Sequence, residues 1–216
     1  MKPRFAHLGG AAMAAALLVL TACNASGDAS GGASGDGAAS TQQAKNWTEF
    51  RDNFLAGYFP LNPNFAVYQG KHEYDGQLPD WSPEGIQKQI AYLEKTIADA
   101  RAFDAQMTDA EKFERDYLVH VAEGQLFFLK DADFPHRNPA FYVGSLDPNV
   151  YVSRPYADAA TRMKAFIAYA QKVPPAAEQI KANLTLPLPA TFVKFGTAGF
   201  GGFADYYTGD AKKAFA

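Results

Sequence analysis

The aromatic side chains of this chain are confined to one part of it, and this distribution limits where a folded core can form. All 11 Tyr, both Trp and every one of the 17 Phe except Phe5 lie at or beyond position 47. The segment 24–44 has almost no apolar bulk, because Gly, Ser and Ala fill 15 of its 21 positions. Such a segment cannot bury enough apolar surface to offset the entropy lost on folding. We therefore predict a flexible linker over 23–44 and one folded domain over 45–216.

The first 22 residues have the three parts of a bacterial secretory signal. Lys2 and Arg4 give a basic start, an apolar stretch follows from Leu8 to Leu20, and small residues come next. The apolar stretch is shorter than the roughly 20 residues that a helix needs to cross a bilayer. We interpret 1–22 as a signal peptide that is removed on export.

Cys23 is the only cysteine in the sequence and directly follows Leu20-Thr21-Ala22. This arrangement resembles the acylation site of bacterial lipoproteins, which implies a diacylglycerol on the thiol and an acyl group such as palmitate on the new amino terminus. Two or more acyl chains anchor a protein stably, since each buried methylene contributes about 0.8 kcal/mol. Asn24 at the next position, by similarity to enterobacterial sorting signals, implies the outer membrane with the domain facing the periplasm. The alternative is an ordinary signal peptide with a chance cysteine near its cleavage site.

The charge balance disfavours one class of partner. The formal net charge is −3, and removal of Lys2 and Arg4 with the signal peptide makes it two units more negative. No stripe of basic residues interrupts the folded part. We therefore expect no binding to nucleic acid.

Capping residues locate three helix starts. Asn46 with Glu49 and Thr108 with Glu111 form reciprocal capping pairs, and Ser82 precedes a first-turn proline. The helices that begin after Ser82 and Thr108 are joined by a short connector, so we expect them to pack antiparallel. The predicted fold class is all-α, an antiparallel helical array with long ordered loops.

Apolar residues recur at helical spacing along nearly the whole folded part. Pro174-Pro175 predicts a break between a helix over 156–172 and the next one, and Thr191–Phe195 is the best strand candidate. We expect Met163, Phe166, Ile167 and Ala170 to point inward. The other apolar faces are Trp47, Phe50, Phe54 and Tyr58; Ile86, Ile90, Leu93 and Ile97; and Phe113, Tyr117, Val121 and Phe128.

Several short segments, taken in order, resemble the bacterial domain-of-unknown-function family 885, and the resemblance covers about 45–207. Many members are predicted lipoproteins, and the family resembles all-helical proteins related to zinc metallopeptidases. Its members are far longer than this chain. The segments are Pro63-Asn64-Phe65-Ala66 with Gly70, Asp75-Gly76-Gln77-Leu78-Pro79-Asp80, Asn138-Pro139 with Tyr142, Tyr151-Val152-Ser153-Arg154-Pro155-Tyr156, Arg162, Val173-Pro174 and Ala182-Asn183-Leu184.

The family's metal-like signature, a His-Glu followed shortly by Pro-Gly-His, belongs to the carboxy-terminal half of its members. This sequence does not contain the complete signature, so no catalytic residue of the family can be assigned to it. The resemblance implies no cofactor in this chain and a zinc ion in a full-length protein. Because 211–216 has the character of a helix interior without a stop signal, we expect an incomplete part of a larger helical fold.

Two histidines suggest metal chemistry on their own. His72-Glu73 lacks a second histidine one helical turn later, so an exposed loop histidine is expected there. Asp131, Asp133 and His136 are close enough in sequence to hold a divalent ion, but solvated loop residues show the same spacing.

The loop over 134–156 has the most functional character. Tyr142, Tyr151, Arg154 and Tyr156 are the residues that we predict to line a groove for a peptide or small molecule. The alternative is a loop that its aromatic residues hold against the helices.

Taken together, these observations predict an envelope lipoprotein, the amino-terminal non-catalytic region of a zinc-peptidase-like protein. The alternative is a complete small helical lipoprotein that binds a ligand or protein partner at the outer membrane. A purely structural role in the cell envelope is a third hypothesis.

Overall fold

The structure, a computed structural model, describes residues 44–214 and is all-α over that range, which confirms the predicted fold class. Cys23, the signal peptide and nearly all of the linker lie outside the described residues. No helix within the described range is long and apolar enough to cross a membrane. The helices are α1 Trp47–Leu61, α2 Pro63–Tyr68, α3 Pro83–Ala102, α4 Asp109–Leu126, α5 Phe134–Arg137, α6 Asn149–Ser153, α7 Ala159–Asn183, α8 Ala190–Thr208 and α9 Asp210–Ala214, with a π-helical segment Phe127–Asp131 and 3₁₀ segments His72–Tyr74 and Pro139–Leu146.

Helix α1 forms as its sequence predicts. The Asn46 side chain accepts a hydrogen bond from the Glu49 amide at 2.9 Å and fixes the first turn. Trp47 and Phe50 stack with ring centroids 5.0 Å apart, and Phe103 meets Phe50 edge-on. All four residues of the predicted apolar face are buried, so α1 is the centre of the largest core cluster.

Helices α3 and α4 pack antiparallel, as predicted. Ser82 caps α3, and Thr108 forms the reciprocal capping box of α4. Two ion pairs join the helices, Lys130 just after α4 with Glu94 and Arg101 with Glu123. The partners follow each other in opposite order along the two helices, which is the signature of an antiparallel pair.

The apolar face of α4 is largely uncovered. Val119 and Ala122 are the buried residues of this helix, whereas Phe113 is 72% exposed and Tyr117 is 65% exposed. Monomeric soluble proteins rarely leave such a contiguous aromatic surface in water. The pattern that located α4 therefore identified a surface of the described structure and not a part of its core.

Helix α7 runs unbroken through Pro174 and Pro175, so the predicted break there is wrong. The prolines remove two backbone donors, but the helix beyond them is held by tertiary contacts. Ile180 is buried, and the buried Asn183 side chain donates to the Trp81 carbonyl at 2.7 Å. The inward prediction for this helix is also wrong in part, because Met163 and Ile167 are exposed while Tyr169 is fully buried.

The strand candidate at 191–195 is wrong as well, because these residues belong to α8. Glycines let α8 approach the segment Pro139–Leu146 closely. A Cβ at Gly196 would lie 2.9 Å from the Pro139 side chain, and one at Gly199 would lie 2.6 Å from Val143. Larger residues at these two positions would force α8 away from the segment.

Candidate functional site

A cleft lies between α1 and α4 in the described part of the chain, and we call it the α1–α4 cleft. It consists of an apolar groove of about 420 Å³ and an adjoining polar pocket of about 230 Å³, named here the amide pocket. Tyr58 and Gln125 line both cavities. Their side chains are hydrogen-bonded, the Tyr58 hydroxyl donating to Gln125 Oε1 at 3.0 Å, and this pair marks the boundary.

The apolar groove has one wall from each helix. Phe54 and Leu55 of α1 face the exposed side chains of α4, which include Phe113, Tyr117 and Val121. These are the α4 residues that the helical spacing identified. The groove is therefore an aromatic and aliphatic channel that a ligand or another protein segment could fill.

An ionic group closes the far end of the groove. Trp47 Nε1 donates to Glu114 Oε2 at 3.0 Å, and Arg51 lies 3.6 Å from the same oxygen. The Trp47–Glu114 and Tyr58–Gln125 bonds both join residues 67 positions apart, so α1 and α4 run parallel in constant register. The two bonds are eleven residues apart along each helix, about 16 Å at the rise of an α-helix.

The amide pocket is built where several elements meet. Asn62 caps the end of α1, Gln89 comes from α3, and Ser145 comes from the 3₁₀ segment. Phe128 and Leu129 belong to the π-helical segment, a distortion of the helix that is frequent at functional sites. The remaining walls are Pro79, Trp81 and Phe141.

The amide pocket carries no formal charge. Its polar side chains are amides and hydroxyls, and its single titratable group is Tyr58. Burial raises the pKa of Tyr58 above its ordinary value, and the hydrogen bond to Gln125 opposes that shift only in part. Tyr58 is therefore neutral at physiological pH, and the pocket offers hydrogen bonds without ions.

Two of the predicted groove residues, Tyr142 and Tyr151, lie in the core. Tyr142 is 0% exposed and its hydroxyl donates to the Pro135 carbonyl at 2.6 Å. Tyr151 is nearly as buried, and its hydroxyl accepts from the Gly76 amide at 3.0 Å. In this structure both side chains therefore serve to position loops.

The other two, Arg154 and Tyr156, lie closer to the surface. The Arg154 guanidinium is 4.9 Å from the centre of the Tyr68 ring and donates to the Tyr68 carbonyl. Tyr156 stacks on His72 at 3.6 Å between centroids and donates to Asp75 Oδ2 at 2.9 Å. The structure thus brings Tyr151 and Tyr156 to the same loop, and none of the four predicted residues lines the α1–α4 cleft.

The residues that suggested metal chemistry form pairs only. His72 contacts Asp75, and His136 contacts Asp133, each through Nδ1. The second oxygen of Asp75 is engaged by Tyr156. Within residues 44–214, no group of three or more His, Cys, Asp or Glu side chains is arranged to hold a metal ion.

Sequence reasoning found half of the cleft and missed the other half. The α4 spacing identified Phe113, Tyr117 and Val121. Gln89 and Gln125 gave no signal, because a glutamine among the polar residues of a helix is ordinarily solvated. Only the convergence of α3, α4 and the end of α1 makes them neighbours.

Comparisons with known proteins give a family and a fold. The model of a family described as "Bacterial protein of unknown function (DUF885)" matches residues 63–212. A solved structure of a proposed lipoprotein of unknown function from Shewanella oneidensis is similar with a TM-score of 0.65 at 16% sequence identity, over 80% of this chain and 34% of that one. This chain thus spans about a third of that protein's length. No curated protein matches the chain.

Proposed function

The chain belongs to the DUF885 family of bacterial proteins, and from that premise we propose that it is the amino-terminal, non-catalytic region of a zinc-peptidase-like envelope lipoprotein. In this role the α1–α4 cleft forms one wall of a binding site for a peptide or small molecule. The observation that carries the proposal is the apolar groove of about 420 Å³, preformed between a buried helix face and an exposed one.

Uncovered apolar surface elsewhere supports the part of the proposal that concerns a larger protein. A second apolar groove of about 370 Å³ lies between α7 and α8, and Phe195 on α8 is 67% exposed. Water contact with so much apolar surface is unfavourable, so further protein is expected to cover it. The Shewanella oneidensis protein is about three times as long as the matched region.

The role proposed for this chain includes no catalytic step. Its described residues offer no set of three metal ligands, so any zinc ligands are assigned to another part of a full-length protein. The contribution of this chain is to bind and orient a ligand.

Anchoring at the membrane is the second part of the proposal. Cys23 after Leu20-Thr21-Ala22 is the proposed lipid attachment site, with the domain on the periplasmic side of the outer membrane. The proposed lipoprotein character of the Shewanella oneidensis structure supports it. Cys23→Ser should abolish incorporation of a palmitate analogue and release the protein from the membrane fraction. Equal labelling of the variant would contradict the anchor.

The alternative function is a complete small lipoprotein that binds a ligand or partner at the outer membrane. The observation in its favour is that the described residues already bury three apolar clusters. A cooperative unfolding transition without binding of a hydrophobic dye would favour this alternative. Strong dye binding by the folded chain would favour the larger protein.

A peptide hydrolysis assay tests the non-catalytic role. The full chain, purified from membranes, should cleave a peptide library no faster with added zinc than with a chelator. Zinc-dependent turnover that persists in a His136→Ala, His72→Ala double variant would indicate a contaminating peptidase. Turnover that this double variant loses would overturn the proposal.

A further inference from the structure

The amide pocket has hydrogen-bonding groups that the described residues leave unused. Asn62 and Gln89 each donate through their amide nitrogen to a backbone carbonyl, and Gln125 accepts the Tyr58 hydroxyl through its oxygen. The other end of each carboxamide, like the Ser145 hydroxyl, has no hydrogen-bond partner among the described residues. These groups provide two acceptors, a donor and a hydroxyl that can serve as either.

The lining of the same pocket offers no counter-ion to a charged group. A carboxylate or ammonium placed there would lose its hydration and gain no counter-ion, which is a large free-energy loss. The ionic pair of the cleft, Arg51 with Glu114, lies toward the other end of the groove, and Glu114 is eleven residues from Gln125 along α4, about 16 Å. A suitable ligand is therefore neutral at the amide pocket and offers both a donor and an acceptor.

Size and continuity restrict the ligand further. The pocket of about 230 Å³ lies below the roughly 300–1,000 Å³ of sites for drug-sized ligands, so it holds one small polar group. It shares Tyr58 and Gln125 with the apolar groove, so the two cavities lie on either side of this hydrogen-bonded pair. The aromatic walls of the groove suit an apolar body attached to that polar group.

We propose that the amide pocket recognises a primary carboxamide whose apolar body lies in the groove. The ligand carbonyl accepts from Gln125 Nε2, and its amino group donates to Asn62 Oδ1 and Gln89 Oε1. A peptide that carries an asparagine or glutamine side chain beside apolar residues has this chemistry. The inference rests on the proposed ligand-binding role of the cleft and adds the class of ligand.

Three small probes of similar size separate the contributions of the two cavities. Binding of benzamide, benzoate and toluene to the full chain in deuterated detergent is measured by saturation-transfer NMR. Benzamide should bind at least tenfold more tightly than benzoate and more tightly than toluene. Equal binding of benzamide and toluene would overturn the carboxamide inference but leave the cleft function intact. Binding of none of the three would contradict both.

A matched pair of variants on α3 locates the binding. Gln89→Met removes one pocket acceptor while keeping side-chain length and helix propensity. Gln87→Met makes the same change two residues away, at an exposed position that lines neither cavity. Benzamide affinity should fall at least fivefold in the first variant and stay unchanged in the second. An unchanged affinity in Gln89→Met would overturn the inference.

Two further experimental outcomes bear on the carboxamide inference. Binding of glucose in preference to benzamide would assign the pocket to sugar hydroxyls and overturn the carboxamide inference. If Gln89→Met does not fold, as judged by circular dichroism, the preference of the unaltered chain for benzamide over benzoate and toluene decides the question.

Discussion

The packing around α1 and the packing around α7 achieve stability by different means. In the first, Trp47, Phe50 and Phe103 pack ring against ring, and the buried partners contributed by α3 are aliphatic. In the second, the largest buried side chains are tyrosines such as Tyr151 and Tyr169, in contact at 5.4 Å between ring centroids. Their hydroxyls, unlike phenyl rings, need hydrogen-bond partners when buried.

The difference shows which part of the fold is stabilised by buried apolar area and which part is held by directional hydrogen bonds. Apolar rings are stabilised by removal from water, which does not depend on orientation. The Tyr169 hydroxyl donates to the Ser145 carbonyl at 2.6 Å, and the Tyr142 hydroxyl donates to that of Pro135. Such bonds tie the segment over 134–156 to defined partners. The buried tyrosines Tyr142, Tyr151 and Tyr169, called here the tyrosine region, therefore determine how the irregular backbone packs against α7.

The largest expected effect comes from removing a ring in the α1 core. Phe50 is 0% exposed, so Phe50→Ala leaves a cavity and should lower the free energy of unfolding by about 3–5 kcal/mol. Urea unfolding followed by circular dichroism measures the change.

Phe113→Ala is the matched control for Phe50→Ala. The same chemical change at the 72% exposed Phe113 should alter the free energy of unfolding by no more than about 0.5 kcal/mol. A loss at Phe113 similar to that at Phe50 would mean that the α4 face is buried in the purified protein. The distinction between core and cleft would then fail.

The α1 region could be predicted from the sequence because its signals are local. The α7 region could not, because its contacts join distant residues. Caps and helical spacing are local, so Asn46 and the apolar face of α1 could be read directly. The partners of Tyr142 and Asn183 are up to 102 positions away, and no local pattern encodes them. The predicted helix break at Pro174-Pro175 was wrong for the same reason, because contacts with distant residues hold α7 together on both sides of the prolines.

The candidate site likewise has one part that the sequence predicted and one part that it did not. Helical spacing located the α4 wall of the groove, but it could not tell an exposed apolar face from a buried one. The amide pocket depends on Asn62, Gln89 and Gln125, which lie on three different elements. Their convergence is a tertiary property, and it could not be derived from any single helix.

A smaller effect is expected from removing one hydroxyl in the tyrosine region. Tyr142→Phe keeps the ring but leaves the Pro135 carbonyl without its donor, and the Asn183 amide loses an acceptor. The free energy of unfolding should fall by about 1–3 kcal/mol.

Tyr117→Phe serves as the control for that hydroxyl. Tyr117 is 65% exposed on α4, and water replaces any bond that its hydroxyl makes, so a change within about 0.5 kcal/mol is expected. Equal losses in Tyr142→Phe and Tyr117→Phe would contradict the view that directional bonds distinguish the α7 region.

Alkaline pH should weaken the tyrosine region selectively. Burial raises the pKa of Tyr142 to about 12 and that of Tyr151 to about 12, from the ordinary value of 10.0. The folded state therefore holds these protons more tightly than the unfolded state does. This contribution to stability is complete below pH 10.0 and is lost as the pH rises to about 12.

Unfolding measured across that pH range isolates the contribution of one tyrosine. Stability of the unaltered chain should fall more steeply between pH 10 and 12 than that of Tyr142→Phe, because the variant has one fewer group to titrate. Lysines titrate in both proteins, so their effect on stability cancels when the two pH curves are subtracted. Parallel curves would show that Tyr142 titrates equally in the folded and unfolded states.

The smallest expected effect concerns the cap of α4. Thr108 accepts from the Glu111 amide, and Glu111 accepts from the Thr108 amide at 2.8 Å. Thr108→Ala removes the first of these bonds and should cost about 1 kcal/mol. Because α4 buries few of its own side chains, the loss should appear as local fraying of its first turn. Hydrogen exchange should quicken at the start of α4 and stay unchanged in the middle of α1. Faster exchange in both helices would show that the exposed wall of the cleft is as tightly coupled to global unfolding as the α1 core.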